Sequence, residues 1–333
     1  MKHIIYACLL FLAALAAGAN ALAADVYPTR PIKLIVAFRA GGQSDLNARK
    51  IAEICEQYKL LPQPIVVVTM PGANTRNALR FVQNAAPDGY TLLLFHSSLV
   101  AMHASGQLPM SFRDFDMVAQ VLRTPMASFL SLPDAPWKNW KEMVEYARVN
   151  KREISVAIGG LGGTTHTMFA YLTNATGTGH LFNPVFFSGL TECKTALMGK
   201  KVDVLGDAPV GAIGIVESGM GKMLLITDRE RRPEFPDTNN FDDFGLTNVV
   251  YMRNGIYAPK GTPRPVLDAL QSVMEKVVAT AEYKEFAKLQ KCDAEFLTGA
   301  GYYAQFEKDE QVFAELSDIL KKSIAEKNQD GTK

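Results

Sequence analysis

Twice in this chain an apolar run breaks abruptly into glycines and then into helical periodicity, and few folds accommodate that recurrence. In the first instance Ile32-Lys33-Leu34-Ile35-Val36-Ala37-Phe38 gives way to Arg39-Ala40-Gly41-Gly42-Gln43-Ser44-Asp45, after which apolar residues fall at Leu46, Ile51, Ile54, Cys55 and Tyr58. A short, branched, nearly continuous run reads as a buried parallel strand, and the spacing that follows reads as one stripe of a helix. In the second instance Ile154-Ser155-Val156-Ala157-Ile158 feeds Gly159-Gly160-Leu161-Gly162-Gly163-Thr164-Thr165, and a helix from His166 to Asn174 turns Met168, Phe169 and Leu172 inward. Such a loop lies at the carboxyl end of its strand in an open α/β sheet. There glycines let a ligand approach the backbone, and unpaired helix N–H groups favour an anion. Two of them, on two sheets, suit a two-sided clamp.

The intervening sequence supplies the sheets. Ile65–Thr69 and Tyr90–Phe95 read as further strands, separated by a helical stripe of Ala78, Leu79, Val82 and Ala85, so three strands and two helices argue a parallel sheet of βαβ units. The third strand ends in His96-Ser97-Ser98, three polar groups at a strand's carboxyl end and a second candidate for the cleft. A boundary is expected near Thr124-Pro125, after which a new α/β series begins with a helix over Trp137–Val149. Thr164 or Thr165 is expected as N-cap of the helix after the second glycine loop. Val185–Phe187 and Val202–Leu205 read as strands around a helix from Leu190 to Met198 that Gly199 ends. Asp207 follows the latter strand, and Met223–Thr227 is another. Asp228 to Asn248 is charged, proline-containing and aperiodic, which reads as a surface connection. Beyond it Thr262 is expected as a cap with Pro263 at the first helical position, and a last helix from about Tyr302 carries Phe306, Phe313, Leu316, Leu320 and Ile324.

At 333 residues the chain suits two domains of roughly 150 residues each. Met1-Lys2-His3, the apolar run Ile4–Ala17 and Ala21-Leu22-Ala23 read as a signal peptide over residues 1–23, cleaved near Ala23, and the run is too short for a spanning helix. The mature protein is then expected to be exported and periplasmic. Removing Lys2 leaves 34 basic against 34 acidic side chains, no field for nucleic acid or an anionic membrane. Cys55, Cys193 and Cys292 remain, an odd number without C-x-x-C spacing, which supports neither a disulfide framework nor a zinc site. A single bridge stays open, and each also reads as a small buried apolar side chain. Glycines 159–163 fail as a dinucleotide fingerprint because Thr165 stands where the third glycine belongs. No G-x-S-x-G and no clustered metal ligands occur, so no enzyme, no cofactor and no metal are expected. His96, His103, His166 and His180 are dispersed and read first as packing histidines. His96 and His166 still sit where they could touch ligand.

Tyr27-Pro28-Thr29-Arg30-Pro31 with the following strand and Gly41-Gly42, Pro71-Gly72-Ala73, Ala85-Ala86-Pro87-Asp88-Gly89-Tyr90, Gly160 to His166, Val202-Asp203-Val204, Arg232–Asp237 and Tyr257–Pro263 occur in one order along the mature chain. In that order they resemble the landmarks of the tripartite tricarboxylate transporter substrate-binding proteins, the Bug or TctC family. The resemblance implies an α/β, two-lobed, type II-like periplasmic binding protein with two mixed or parallel sheets flanked by helices and a hinge-side cleft. It further implies a discontinuous first lobe (24–125 and 247–333), a second lobe (126–246), and delivery of a small carboxylate to membrane permease subunits by a monomer. The cleft residues expected on both grounds are Phe38, Arg39, Gly41, Gly42, Ser44, Asp45, His96, Ser97, Gly160, Gly162, Gly163, Thr164, Thr165, His166 and Asp207. Asp45 could equally cap its helix, and Asp207 carries the same ambiguity. Arg39 departs from the family, which usually has a small residue or proline there. A sensor subunit presenting ligand to a receptor and an exported enzyme are the alternatives.

Overall fold

β1 (Ile32–Val36) buries Ile32, Leu34 and Val36 in one core and Ile35 in another while Lys33 stays exposed, so both faces of the strand are covered from Leu34 onward, in keeping with its nearly continuous apolar run. A computed structural model describes residues 27–330 apart from Asn74, residues 105–107, Ser188 and Asn248. The leader assigned to residues 1–23, Ser188 and the side chain of Ile324 lie outside the described residues. β1 pairs in parallel with β2 (Ile65–Thr69) and β3 (Thr91–His96), and the intervening helices are α1 (Gln43–Gln57) and α2 (Arg76–Gln83). α3 (Ser98–Ala104) follows β3 directly. The first sheet is completed by β4 (Phe115–Pro125), β10 (Tyr251–Pro259) and β11 (Asp293–Thr298), in the order β11-β4-β10-β3-β1-β2. These last three strands are antiparallel to their neighbours.

The second sheet repeats the plan. β6 (Ile154–Gly159) lies between and parallel to β7 (Phe182–Phe187) and β8 (Val204–Asp207). The antiparallel strands β5 (Ser128–Ser131) and β9 (Lys222–Ile226) close the order β7-β6-β8-β5-β9. Helices α4 (Trp140–Asn150), α5 (Thr164–Ala175), α6 (Leu190–Met198) and α7 (Pro209–Glu217) belong to it. Trp140, Met143, Val144 and Ala147 of α4 and Met168, Phe169 and Leu172 of α5 are buried together, the stripes their spacing prescribes.

Strand register locates the cleft. β10 starts at Tyr251, opposite Pro125 of β4 and beyond His96, which pairs Asn254; the crossing therefore leaves the first sheet at the carboxyl ends of β1, β2 and β3. On the other side Ser128 pairs Asp207, the last residue of β8, and Ile226. The short link from Pro125 to Ser128 thus joins the carboxyl ends of the parallel strands of both sheets. Both glycine loops face the space so formed.

α8 (Arg264–Ala279) and α9 (Ala281–Leu289) return to the first sheet. α10 (Gly299–Asp330) begins in that lobe, where Tyr302 and Phe306 are buried, and continues onto the other, where Leu316 joins the core of α4 and α5. It straps one lobe to the other.

Four local expectations are corrected. Leu46 and Tyr58 are exposed; α1 instead buries Ser44, Asp45, Asn47, Ala48, Ile51, Ile54 and Cys55, a stripe whose first turn is polar because it abuts the loop. The segment after Asp228 is no mere surface connection. Asp228, Thr238, Asn239, Asn240 and Phe241 are buried, Asn239 bridges to Leu225, and Asn240 forms a capping box with Asp243. Pro263 is the cap of α8 rather than its first residue, while Thr262 Oγ1 donates to the Pro259 carbonyl at 2.7 Å. The cap of α5 is Gly163, with Thr164 and Thr165 already inside the first turn. Cys55, Cys193 and Cys292 are free and buried.

Candidate functional site

The two glycine loops share one backbone plan. Gly41 and Gly162 take φ of +82° and +80°, a left-handed conformation that glycine adopts without penalty. The next residues, Gly42 and Gly163, are extended N-caps of α1 and α5, and each N–H leans 3.4 Å toward a carbonyl three residues back, Arg39 O and Gly160 O. In each loop the residue three past the cap reaches back to the N–H just before it. Asp45 Oδ2 accepts from Gly41 at 2.9 Å and His166 Nδ1 accepts from Gly162 at 3.1 Å. Gly160 N–H donates to the Phe187 carbonyl at 3.0 Å. With the glycine N–H groups engaged, the first-turn amides are left over: Gln43 and Ser44 in one lobe, Thr164 and Thr165 in the other. These lie at helix starts, where the helix dipoles favour negative charge.

The two anchors differ in charge. Asp45 is buried, and the hydrogen bond from Arg49 Nε at 3.0 Å, helped by the Gly41 N–H, holds its carboxyl below the usual range. The imidazole of His166 is buried against Phe186, its Nε2 lies 3.3 Å from Ser323 Oγ on α10, and burial pushes its pKa down from 6.5 to about 4. The first loop therefore rests on an ion pair and the second on a neutral ring. The group that anchors the loop is thus a carboxylate at the first helix start and an imidazole at the second.

The remaining predicted residues fall around these loops. Phe38, half-buried, stacks on His96 at 4.9 Å and on Phe95 at 5.5 Å, and burial lowers the pKa of His96 to about 4. Arg39 is exposed and its guanidinium makes no ion pair among the described residues. Ser97 is buried, and its hydroxyl serves β10, donating to the Tyr251 carbonyl at 3.0 Å and accepting from Arg253 N–H at 3.1 Å. Ser44 is buried at the start of α1. The Thr165 methyl packs over Gly206, where an added Cβ would lie 2.7 Å from it. Asp207 is buried with Oδ1 on the Ala208 N–H at 2.7 Å and Oδ2 3.3 Å from Lys194 Nζ; burial raises its pKa and the lysine opposes that. Sequence reasoning expects the backbone N–H groups of Gly41 to Ser44 and of Gly160 to Thr165 as donors, but those of Gly41, Gly42, Gly160, Gly162 and Gly163 are engaged within the protein; it missed Lys194, whose partner Asp207 lies in a different element. It passed over Leu161, an apolar residue conspicuous in a glycine loop. No group of three or more metal-ligating side chains occurs among the described residues, and no described helix is long and apolar enough to cross a membrane.

Acid should unfold this protein through its histidines. Above pH 6.5 both His96 and His166 are neutral whether folded or not, so pH has no effect through them. Between 6.5 and about 4 the unfolded chain takes up protons that the fold refuses, and stability falls as pH falls. Each ring contributes up to about 3 kcal/mol of that loss. Urea unfolding at pH 7 and pH 4.5 measures it, and His166→Gln, which keeps an acceptor without the titration, should flatten the slope by about half.

Comparison with known proteins agrees with this architecture. A crystal structure of a TctC solute-binding protein from Polaromonas, without ligand, is 26 % identical, covering 88 % of this chain and 99 % of that one with a TM-score of 0.77. MatC from Rhodopseudomonas palustris with bound malate is 25 % identical, covering 88 % and 100 %, with a TM-score of 0.63. A UPF0065 protein from the gbd 5′ region of Cupriavidus necator is 32 % identical over 302 residues, 89 % of this chain and 88 % of that protein. The tripartite tricarboxylate transporter family receptor profile matches residues 48–322, and the chain belongs to that family, the TctC/Bug-type periplasmic solute-binding proteins.

Proposed function

We propose that this protein captures a small carboxylate between its two lobes in the periplasm and delivers it to a membrane permease of the tripartite tricarboxylate type. The observation that carries the reading is the matched pair of helix starts, each with its glycine N–H groups engaged and its first-turn amides free. A carboxylate has two oxygens for two sets of donors, and backbone donors at helix starts hold an anion without a lysine. Because the group that anchors the loop before α5 is a neutral imidazole rather than a carboxylate, the ligand's charge sits chiefly on Thr164 and Thr165, with Gln43 and Ser44 closing over it. The malate bound by MatC is a carboxylate of suitable size.

Both sets of donors reach one ligand only if the lobes approach, with the lobes taken as 24–125 plus 247–333 and 126–246, and α10 as the strap between them. A thermal-shift screen of residues 24–333 against mono-, di- and tricarboxylates tests the reading, since ligand at a hundred times Kd adds about 2.7 kcal/mol to stability. Scattering with the best ligand should show a smaller radius. No shift with any carboxylate, or an unchanged radius at saturation, counts against it. Cleavage after Ala23 is expected, and the mass of the exported protein reports it.

Arg39 stands free beside Phe38 at the lip, and a planar guanidinium there can hold a second acidic group or stack on a ring. Arg39→Ala should weaken binding by about 1.5–3 kcal/mol. Calorimetry on Arg39→Ala and Arg39→Lys measures it; unchanged affinity in both removes the residue from the site.

A further inference from the structure

Three large apolar side chains stand exposed in a row at the carboxyl ends of the second sheet's parallel strands: Leu161 beyond β6 at 53 %, Leu190 beyond β7 at 39 % and Val210 beyond β8 at 50 %. Single exposed apolar residues are ordinary, but a contiguous set at a cleft marks what the cleft receives. The strands that carry them are neighbours about 4.8 Å apart. Leu190 closes on the β6 backbone, where a Cβ added to Gly159 would meet its Cδ2 at 3.1 Å. The row therefore flanks the free amides of Thr164 and Thr165.

In the first lobe the partly exposed rings of Phe38 and His96, at the carboxyl ends of β1 and β3, pack on the fully buried Phe95. Phe38, Phe95 and His96 stack nearly parallel, with Phe38 4.9 Å from His96 at an interplanar angle of 18° and His96 4.8 Å from Phe95 at 17°. His96 adds no charge at neutral pH, since burial keeps the imidazole neutral. The Phe38 and His96 rings carry no charge at neutral pH, and the exposed Arg39 that follows Phe38 can stack on a ring as well.

We infer that the cleft selects carboxylates that carry an aromatic ring, with the carboxylate on the helix starts and the ring between the Leu161–Leu190–Val210 row and the Phe38–His96 stack. The inference rests on the carboxylate reading of this cleft and adds the class of ligand. A ring buries apolar area against the aliphatic row and finds offset-stacking geometry on Phe38. Hydroxylated di- and tricarboxylates would instead bring polar groups that the row cannot satisfy, and each such group costs affinity when desolvated.

Calorimetric titration of residues 24–333 with benzoate and phenylacetate, and with malate and citrate, tests the inference, followed by the same titrations on Leu161→Ser and Leu190→Ser. Both substitutions are at exposed positions, and a thermal melt confirms that the variants fold. The better aromatic ligand should bind wild type at least roughly tenfold tighter than malate or citrate, and each variant should lose about tenfold for it. Residual malate binding should stay within about twofold, because the amides that hold the carboxylate are untouched. Tighter binding of malate or citrate overturns the aromatic preference and leaves the carboxylate reading standing. Unchanged aromatic affinity in both variants likewise overturns it, by taking the row out of the site. Failure of all four ligands to bind overturns both.

Discussion

Gly162→Val should leave a folded protein that no longer binds its ligand. A Cβ at this position meets nothing within 4 Å, so the obstacle is not collision; it is the φ of +80°, which a β-branched residue resists by about 1–2 kcal/mol. The loop relieves that strain by turning, which takes the Gly162 N–H off His166 and re-aims the Thr164 and Thr165 amides. Two charge-assisted hydrogen bonds at about 1.5–3 kcal/mol each correspond to a loss of roughly a hundredfold or more in affinity. Gly177 is the control: its φ is +63°, it too has open space around a new Cβ, and it lies at the far end of α5. Gly177→Val should cost similar stability and leave binding intact. Calorimetry and urea unfolding on both variants separate strain from site geometry, and equal loss of binding in the two would defeat the assignment.

Arg253→Met should be the most damaging single change to stability. Arg253 is buried on β10, with Nη1 3.2 Å from Gln120 Oε1 and 3.3 Å from Glu295 Oε2, and Nε 3.4 Å from Asp309 Oδ2 on α10. Asp309 is buried as well; burial raises its pKa above the usual carboxylate range, and Arg253 opposes that rise. Removing the guanidinium leaves an uncompensated buried carboxylate, a loss of about 3–5 kcal/mol. Without its partner the folded-state pKa of Asp309 rises further above its unfolded value, so the variant's extra instability grows as pH rises through that pKa and shrinks in mild acid. Urea unfolding at pH 5.5 and 8 reads both effects. Arg253→Met combined with Asp309→Leu should recover much of the loss; a double variant as unstable as the single one would place the cost elsewhere.

The alternation of strand, glycine loop and helix was legible because covered parallel strands must be apolar on both faces, and β1, β3 and β6 announce themselves accordingly. β4 and β11 were not, because they pair polar groups with partners far along the chain, which no local pattern shows. Gln120 and Arg123 of β4 meet Glu295 of β11, and Arg123 also reaches Glu230 at 2.7 Å across the crossing. The segment after Asp228 misled for the same reason: Asp228 Oδ1 accepts from the Tyr251 hydroxyl at 2.8 Å, a satisfaction that no periodicity records. At the site, glycines and helix starts could be read from spacing alone. That Asp45 and His166 play one structural part could not, since a carboxylate and an imidazole share no sequence signature.

The central claim is that one carboxylate is held at once by helix starts from both lobes. Amide resonances of the ¹⁵N-labelled, deuterated protein test it directly as carboxylate is titrated in. The account predicts that Gln43, Ser44, Thr164 and Thr165 move downfield together along one saturation curve, with Thr164 and Thr165 moving furthest. Shifts confined to one lobe, or saturation of the two pairs at different concentrations, would contradict it.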